Sequence, residues 1–254
     1  MDYSVTGDVE TQAGVPQVSM QRVLNSYHAL RIAGLMYFNP AKFFHKINSL
    51  TWYHGVLQTW TDSLGYQKVE SILEVGCATG ELAKHLAGQG AIVIGVDNST
   101  RMLQKANESK IEGTRFEHAS AMALPFERKY FDHVISASLI NIISEPELAL
   151  REMVRVCKPG GKISVLVPQA GMTDESVSKL AHELDLTGFS RAALFAWHRR
   201  APKMQRERLH DYFKDAGLSN ICNATYLSGM VMSVTGEYKR VAEHEVTASR
   251  QPSN

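Results

Sequence analysis

Glu74, Gly76, Cys77, Ala78, Gly80 and Asp97 are the residues whose types and spacing point to chemistry in this 254-residue chain. The apolar run Ile72, Leu73, Val75 ends in a Gly76-x-x-x-Gly80 turn, and a helix pattern begins at once with Glu81, Leu82 and Ala83. Such a corner brings bare backbone N–H groups and a helix N-terminus to the end of a buried strand, where the anionic end of a nucleotide-like ligand is received. A second apolar run, residues 91–96, ends in Asp97, 17 residues beyond Gly80. A carboxylate there can accept hydrogen bonds from ribose hydroxyls. The glycine order differs from the nicotinamide fingerprint G-x-G-x-x-G, whose third glycine permits close helix–strand packing.

Strands are expected at residues 69–75, 91–96, 114–118, 131–137 and 162–168, with helices near 80–89, 99–109 and 145–157 between them. This alternation implies parallel pairing. Ser99 is the expected N-cap of the second helix. Pro159, Gly160 and Gly161 are expected to close the third and turn the chain into the next strand. After Pro168 the alternation breaks. Residues 170–200 show two weak helical patterns and read as a cap insert. A helix follows near 203–216, and residues 218–226 and 230–236 are close enough to pair as a hairpin through Ser228 and Gly229. The fold class expected is α/β: a doubly wound, Rossmann-like, mostly parallel seven-stranded sheet. A terminal antiparallel hairpin, an N-terminal helical cover rich in aromatics (Tyr27 to Trp60) and the helical cap complete it. Residues 1–18 read as a flexible segment, 19–240 as one domain and 241–254 as a tail.

A hydrophobic content of 44% and a charged content of 21% are ordinary for a globular chain. There is no run of about 18 apolar residues, so no integral membrane span is expected, and residues 1–16 lack the apolar core of a signal peptide. Cys77, Cys157 and Cys222 are dispersed, with neither metal spacing nor a disulfide framework. A reducing cytoplasm and no metal site are the plain expectations. A formal net charge of +1 gives no nucleic-acid footprint.

Several stretches, in fixed order over roughly residues 70–168, resemble the class I S-adenosylmethionine-dependent methyltransferases. Glu74, Gly76, Ala78 and Gly80 fall on E-x-G-x-G-x-G, with Ala78 in place of the middle glycine. Residues 97–106 resemble D-x-S-x-x-M-L-x-x-A, and residues 119–126 resemble G-D-A-x-x-L-P-F. Residues 131–134 resemble F-D-x-V, and residues 157–161 resemble L-K-P-G-G. The resemblance implies S-adenosyl-L-methionine as cofactor, its amino-acid end over Gly76, Cys77, Ala78 and Gly80. It implies Glu74 near the ligand ammonium, Asp97 on the ribose, and Asn98 and Met102 flanking the adenine. Backbone groups of Ala121 and Met122 would face the ring, and Ser136 completes the cofactor set. Ser120 stands where the family often has Asp, and a neutral hydroxyl makes a weaker hydrogen bond than a carboxylate.

A finer resemblance is to the ubiquinone/menaquinone-biosynthesis C-methyltransferases, within the methyltransferase type 11 branch. Residues 41–48, with Trp60 downstream, resemble their A-x-x-Y-D-x-x-N…W entrance helix, and residues 226–239 resemble their ending. Phe44 and His45 replace the family's Tyr-Asp. The substrate set expected on this side is Phe44, His45, Asn48, Asn141 and Trp197. One wall of the acceptor cleft is expected from the helix carrying Phe44, and another from Phe189, Phe195 and Trp197.

In-line methyl transfer depends largely on positioning, and a base is needed only if the acceptor loses a proton. His45, His54 and Asn141 are the candidate catalytic groups, with His118, His133 and His198 as further titratable candidates. The function expected is methylation of a small, partly apolar or aromatic molecule by a monomer or homodimer. The basic cluster around residues 197–208 reads as a solvated helix face, or as a surface for an anionic substrate or peripheral membrane contact. The competing readings are a non-catalytic regulatory or partner-binding protein with the same fold, and a nicotinamide oxidoreductase.

Overall fold

Apolar strand runs alternating with amphipathic helices build a seven-stranded sheet of order β3-β2-β1-β4-β5-β7-β6. The computed structural model describes residues 20–108 and 110–239. The segments 1–18 and 241–254 lie outside the described residues. The parallel strands are β1 (Ser71–Val75), β2 (Ile92–Asp97), β3 (Thr114–His118), β4 (Phe131–Ala137) and β5 (Cys157–Pro168). β6 (Leu218–Tyr226) and β7 (Val231–Tyr238) form the hairpin, and β7 inserts antiparallel beside β5. Strand order reverses between β1 and β4, which opens a crevice at the carboxyl ends of the strands.

The β1–β2, β2–β3 and β4–β5 crossovers are helices whose apolar stripes face the sheet, α4 (Glu81–Gly88), α5 (Thr100–Asn107) and α6 (Pro146–Val156), whereas β3 joins β4 through the non-helical residues 119–130. Ser99 caps α5, its hydroxyl accepting the Met102 N–H at 3.4 Å. Before the sheet come α1 (Met20–Phe38), α2 (Pro40–Asn48) and α3 (Thr51–Ser63). α3 buries Trp52, Tyr53, Val56, Leu57 and Trp60. Trp60 is fully buried, and its indole N–H donates to Ser164 Oγ on β5 at 2.9 Å. Truncating such a residue to alanine costs about 3–5 kcal/mol. The expected cap over 170–200 is a helix pair, α7 (Asp174–Glu183) and α8 (Gly188–Arg200), and α1 lies against α8. α9 (Arg206–Asp215) then covers the hairpin.

Several boundaries differ from the sequence expectation, each for a local reason. β1 starts at Ser71 rather than 69, because Val69 is left-handed at φ 61° and Glu70 closes a turn onto the Gln67 N–H. β5 starts at Cys157, before the Pro159-Gly160-Gly161 run, which is an irregularity within the ladder rather than a turn outside it. Only glycine fits at 161, where a Cβ would lie 2.1 Å from the Asp132 carbonyl. β7 runs on to Tyr238, and α9 starts only at Arg206, since residues 203–205 are not helical and Met204 bridges to Gln169.

Candidate active site

The corner between β1 and α4 is held by its own backbone. Gly76 and Cys77 both donate to the Val96 carbonyl, at 2.8 and 3.0 Å. Ala78 N–H donates to Asp97 Oδ2 at 2.9 Å, and Gly80 N–H to the Cys77 carbonyl at 2.8 Å. Of the N–H groups expected to be bare in this corner, those of Gly76, Cys77, Ala78 and Gly80 therefore have internal acceptors. Gly76, Ala78 and Gly80 all adopt positive φ (81°, 46° and 76°), so the turn needs left-handed backbone at alternate residues. Ala78 accepts that geometry without being glycine, at a cost of about 1–2 kcal/mol.

Gly80 is the N-cap of α4 and offers no side-chain cap. The Glu74 side chain, on β1, is buried beside the first turn of that helix at Ala83. Its Oε2 is buried and has no partner. Burial first, then the nearby Asp97 and Glu81 charges, push the Glu74 carboxyl up to about 8. The same burial pushes the Cys77 thiol far above its usual range, so it is inert as a nucleophile.

Two adjoining cavities open at the carboxyl ends of the strands. The larger, about 260 Å³, is lined on one side by Glu74, Gly76, Cys77, Ala78, Asp97 and Asn98. Its other side is mainly apolar: Phe44, Tyr53, Leu57, Leu82, Leu139 and Ile142, with Asn48, Ser99, Met102, Ala137 and Ser138 between. The smaller, about 50 Å³, shares Gly76, Asp97, Asn98 and Leu139 and adds Ala119, Ser120, Ala121, Met122 and Ile143. Together they reach the lower end of the roughly 300–1,000 Å³ range of small-molecule sites.

Other candidates lie off these linings. Gly80 is buried against Phe116, where a Cβ would meet the ring at 2.5 Å; it shapes the corner and does not face the cavity. Ser136 is fully buried and its hydroxyl donates to the Val75 carbonyl at 2.8 Å, clamping β4 to β1. His45 Nδ1 sits 3.0 Å from Glu81 Oε1. The His54 ring packs edge-on to His85. The Asn141 amide donates to the Pro202 carbonyl at 2.9 Å, tying the loop after β4 to the segment after α8. His118 contacts the Asn98 carbonyl, His133 is held between Glu70 and the Lys162 N–H, and His198 pairs with Asp174. No histidine lines either cavity among the described residues.

The second wall is also corrected. Phe189 faces Lys46 and Phe195 faces the α1–α8 groove, while Trp197 stands behind the wall, 5.7 Å from the rings of both Trp52 and Tyr53. The residues that do close the cavity opposite Phe44 are Ala137, Ser138, Leu139 and Ile142. Sequence reading missed Tyr53 and Ser138, whose hydroxyls are 3.3 Å apart. Ser138 carries a positive φ of 54°, an outlier of the kind that clusters at functional positions. Desolvation raises the Tyr53 phenol, so it stays protonated and available as a donor. Its one sequence signal was membership in an aromatic helix, which a core residue shares.

The fold and this crevice define a Rossmann-like methyltransferase. Residues 73–165 match the family described as Methyltransferase domain, and the chain carries the fold and the cofactor crevice of an S-adenosylmethionine-dependent methyltransferase. It is 29% identical over 181 residues to a demethylmenaquinone methyltransferase of Shouchella clausii, covering 63% of this chain and 75% of that one. Other curated relatives match over 98 to 109 residues, and there the chain spans only 36 to 45% of their length. In fold it is similar to a Thermotoga maritima S-adenosylmethionine-dependent methyltransferase, a possible histamine N-methyltransferase (TM-score 0.59, 19% identity, 84% of this chain and 100% of that one). It is likewise similar to Haemonchus contortus phosphoethanolamine N-methyltransferase 2 in complex with S-adenosyl-L-methionine (TM-score 0.59, 16% identity, 89% and 61%). No helix among the described residues is long and apolar enough to cross a membrane.

The residues present fit this cofactor. S-adenosylmethionine carries an ammonium and a sulfonium, and the crevice offers two carboxylates, Glu74 and Asp97, one of them with an unpartnered buried oxygen. A cation is what such a buried oxygen lacks.

Proposed function

We propose that this enzyme methylates a small, partly apolar or aromatic molecule held between α2, α3 and the loop after β4. The single observation that supports this is the composition of the larger cavity. A polar, carboxylate-bearing side and an aromatic-aliphatic side share one space, and the paired Tyr53 and Ser138 hydroxyls, with Asn48, are polar groups set among the apolar residues of the second. A flat ring with one oxygen substituent suits that wall: Phe44, Leu57, Leu139 and Ile142 offer apolar contact to the ring, and the Tyr53 hydroxyl donates to the substituent. The relatives named as demethylmenaquinone methyltransferases support a partly apolar acceptor that carries a ring.

The cofactor, when bound, supplies an electrophilic methyl group on sulfur. On the protein side, Glu74, Asp97, Asn98, Ser99 and Met102 are assigned to its seat, with Ser120, Ala121 and Met122 at the narrow end. The Ser120 hydroxyl accepts the Met122 N–H at 3.2 Å and donates to Met122 Sδ at 3.9 Å, and it keeps a second lone pair. Because each histidine near the crevice is engaged elsewhere, rate enhancement rests on orientation and desolvation rather than on a histidine base.

Thermal shift with S-adenosylmethionine, S-adenosylhomocysteine and NAD tests the cofactor seat. Ligand at about 100 times its dissociation constant adds roughly 2.7 kcal/mol of stability. Turnover on a panel of hydroxylated aromatics against aliphatic amines of similar size then tests the acceptor class. Activity confined to the amines overturns it.

A further inference from the structure

The strongest unassigned surface lies on α1 and α8, away from the crevice lining. α1 presents Tyr27, Leu30, Tyr37 and Phe38 at helical spacing, and these are 53%, 73%, 81% and 74% exposed. Its opposite stripe, with Ile32, Leu35 and Met36, packs inward, so the helix is apolar on both sides. Beside it runs a groove of about 370 Å³ between α1 and α8, floored by Ala29, Ala192, Phe195 and Ala196 and edged by Arg191, Arg199 and Arg200. Neither α1 nor α8 contains an Asp or Glu. In a chain of net charge +1, this face therefore concentrates cations where it also concentrates exposed aromatic surface.

We infer that this face docks on an anionic lipid bilayer surface. Exposed aromatics beside arginines, with no carboxylate among them, are the makeup of an interfacial helix: rings enter the headgroup boundary and guanidiniums meet lipid phosphates. Charge complementarity selects an anionic surface over a zwitterionic one. The position also serves the enzyme. The carbonyl of Phe38, at the end of α1, accepts from Arg101 on α5 at 3.0 Å, and α5 carries Met102 into the crevice. Docking would thus hold the crevice near the bilayer, where an apolar acceptor partitions. The docking itself does not depend on the acceptor reading, since it needs no substrate.

The test is flotation of the full chain with phosphatidylcholine vesicles and with vesicles that also contain phosphatidylglycerol. Partition into the anionic vesicles is expected, weakening as salt is raised. Arg199→Ala with Arg200→Ala should weaken it roughly thirtyfold. Tyr37→Ser with Phe38→Ser should weaken it roughly tenfold, through loss of the inserted rings. An unchanged thermal shift with S-adenosylhomocysteine shows that each variant is folded. Absence of partition into anionic vesicles overturns the proposal, as does partition that neither pair of substitutions reduces. Sedimentation as a dimer that Tyr37→Ser with Phe38→Ser dissociates also overturns it, because a second copy then covers the face.

Discussion

Asp97 Oδ2 accepts the Ala78 N–H at 2.9 Å, and the other oxygen of the same carboxylate accepts the Ser99 N–H at 2.9 Å. One side chain at the end of β2 thereby fixes both the glycine turn after β1 and the entry to α5. Asp97 is thus a structural anchor as well as a ligand candidate. Asp97→Asn should cost roughly 1.5–3 kcal/mol of stability, the worth of a charge-assisted hydrogen bond, and weaken S-adenosylhomocysteine at least about tenfold by calorimetry. Normal denaturation together with normal binding would place both roles elsewhere.

Ala78 occupies left-handed backbone at φ 46°, where glycine carries no Cβ penalty. Ala78→Gly relieves about 1–2 kcal/mol of strain and loses about 0.4–1 kcal/mol to unfolded-state entropy. A net stabilisation between zero and about 1.6 kcal/mol is expected in urea denaturation. A destabilised Gly variant would show that the methyl group makes a needed contact.

Glu74 gives the ligand-free protein a pH dependence. Its folded carboxyl sits near 8 against an unfolded value near 4.5. Between those values the native state holds a proton that the unfolded state has lost, so stability falls as pH rises from about 5 to 8. The stability is full below the unfolded value and is lost as pH passes through the folded one. Glu74→Gln should flatten this slope in denaturation curves. Cofactor binding, which favours the carboxylate, should release a proton, seen as a binding enthalpy that depends on buffer ionisation. A wild-type slope identical to that of the Gln variant would count against the buried neutral carboxyl.

Tyr53→Phe deletes only the hydroxyl that faces Ser138 and keeps the ring packed on Trp52 and Trp197. Turnover should fall by roughly 10- to 100-fold, the scale of one hydrogen bond lost at a reacting substrate, with cofactor affinity unchanged. Trp197→Ala should lower stability and turnover together, because it removes the backing of the same wall. A Tyr53→Phe enzyme with unaltered kcat would make the Tyr53–Ser138 pair purely structural.

The α/β class, the strand positions, the Ser99 cap, the terminal hairpin and the Glu74–Asp97 frame were legible in the sequence. Each rests on local pattern: apolar runs of strand length, glycines where the backbone turns left-handed, a capping hydroxyl before an amphipathic helix. What no local pattern carries is which side chains from distant segments meet. Phe44, Tyr53 and Ile142 share one cavity because α2, α3 and the loop after β4 converge over the sheet's reversal point. Trp197 was singled out by its residue type, yet packing places it one layer behind Tyr53. His45 and Asn141 looked equally available in sequence, but Glu81 and the Pro202 carbonyl, 36 and 61 residues away, engage them. The sequence by itself determined the scaffold and the residues at the strand ends. The tertiary structure alone decided which polar groups are already satisfied and which, like Glu74 Oε2, are left without a partner, because hydrogen-bond partners across such distances are set by packing and not by spacing.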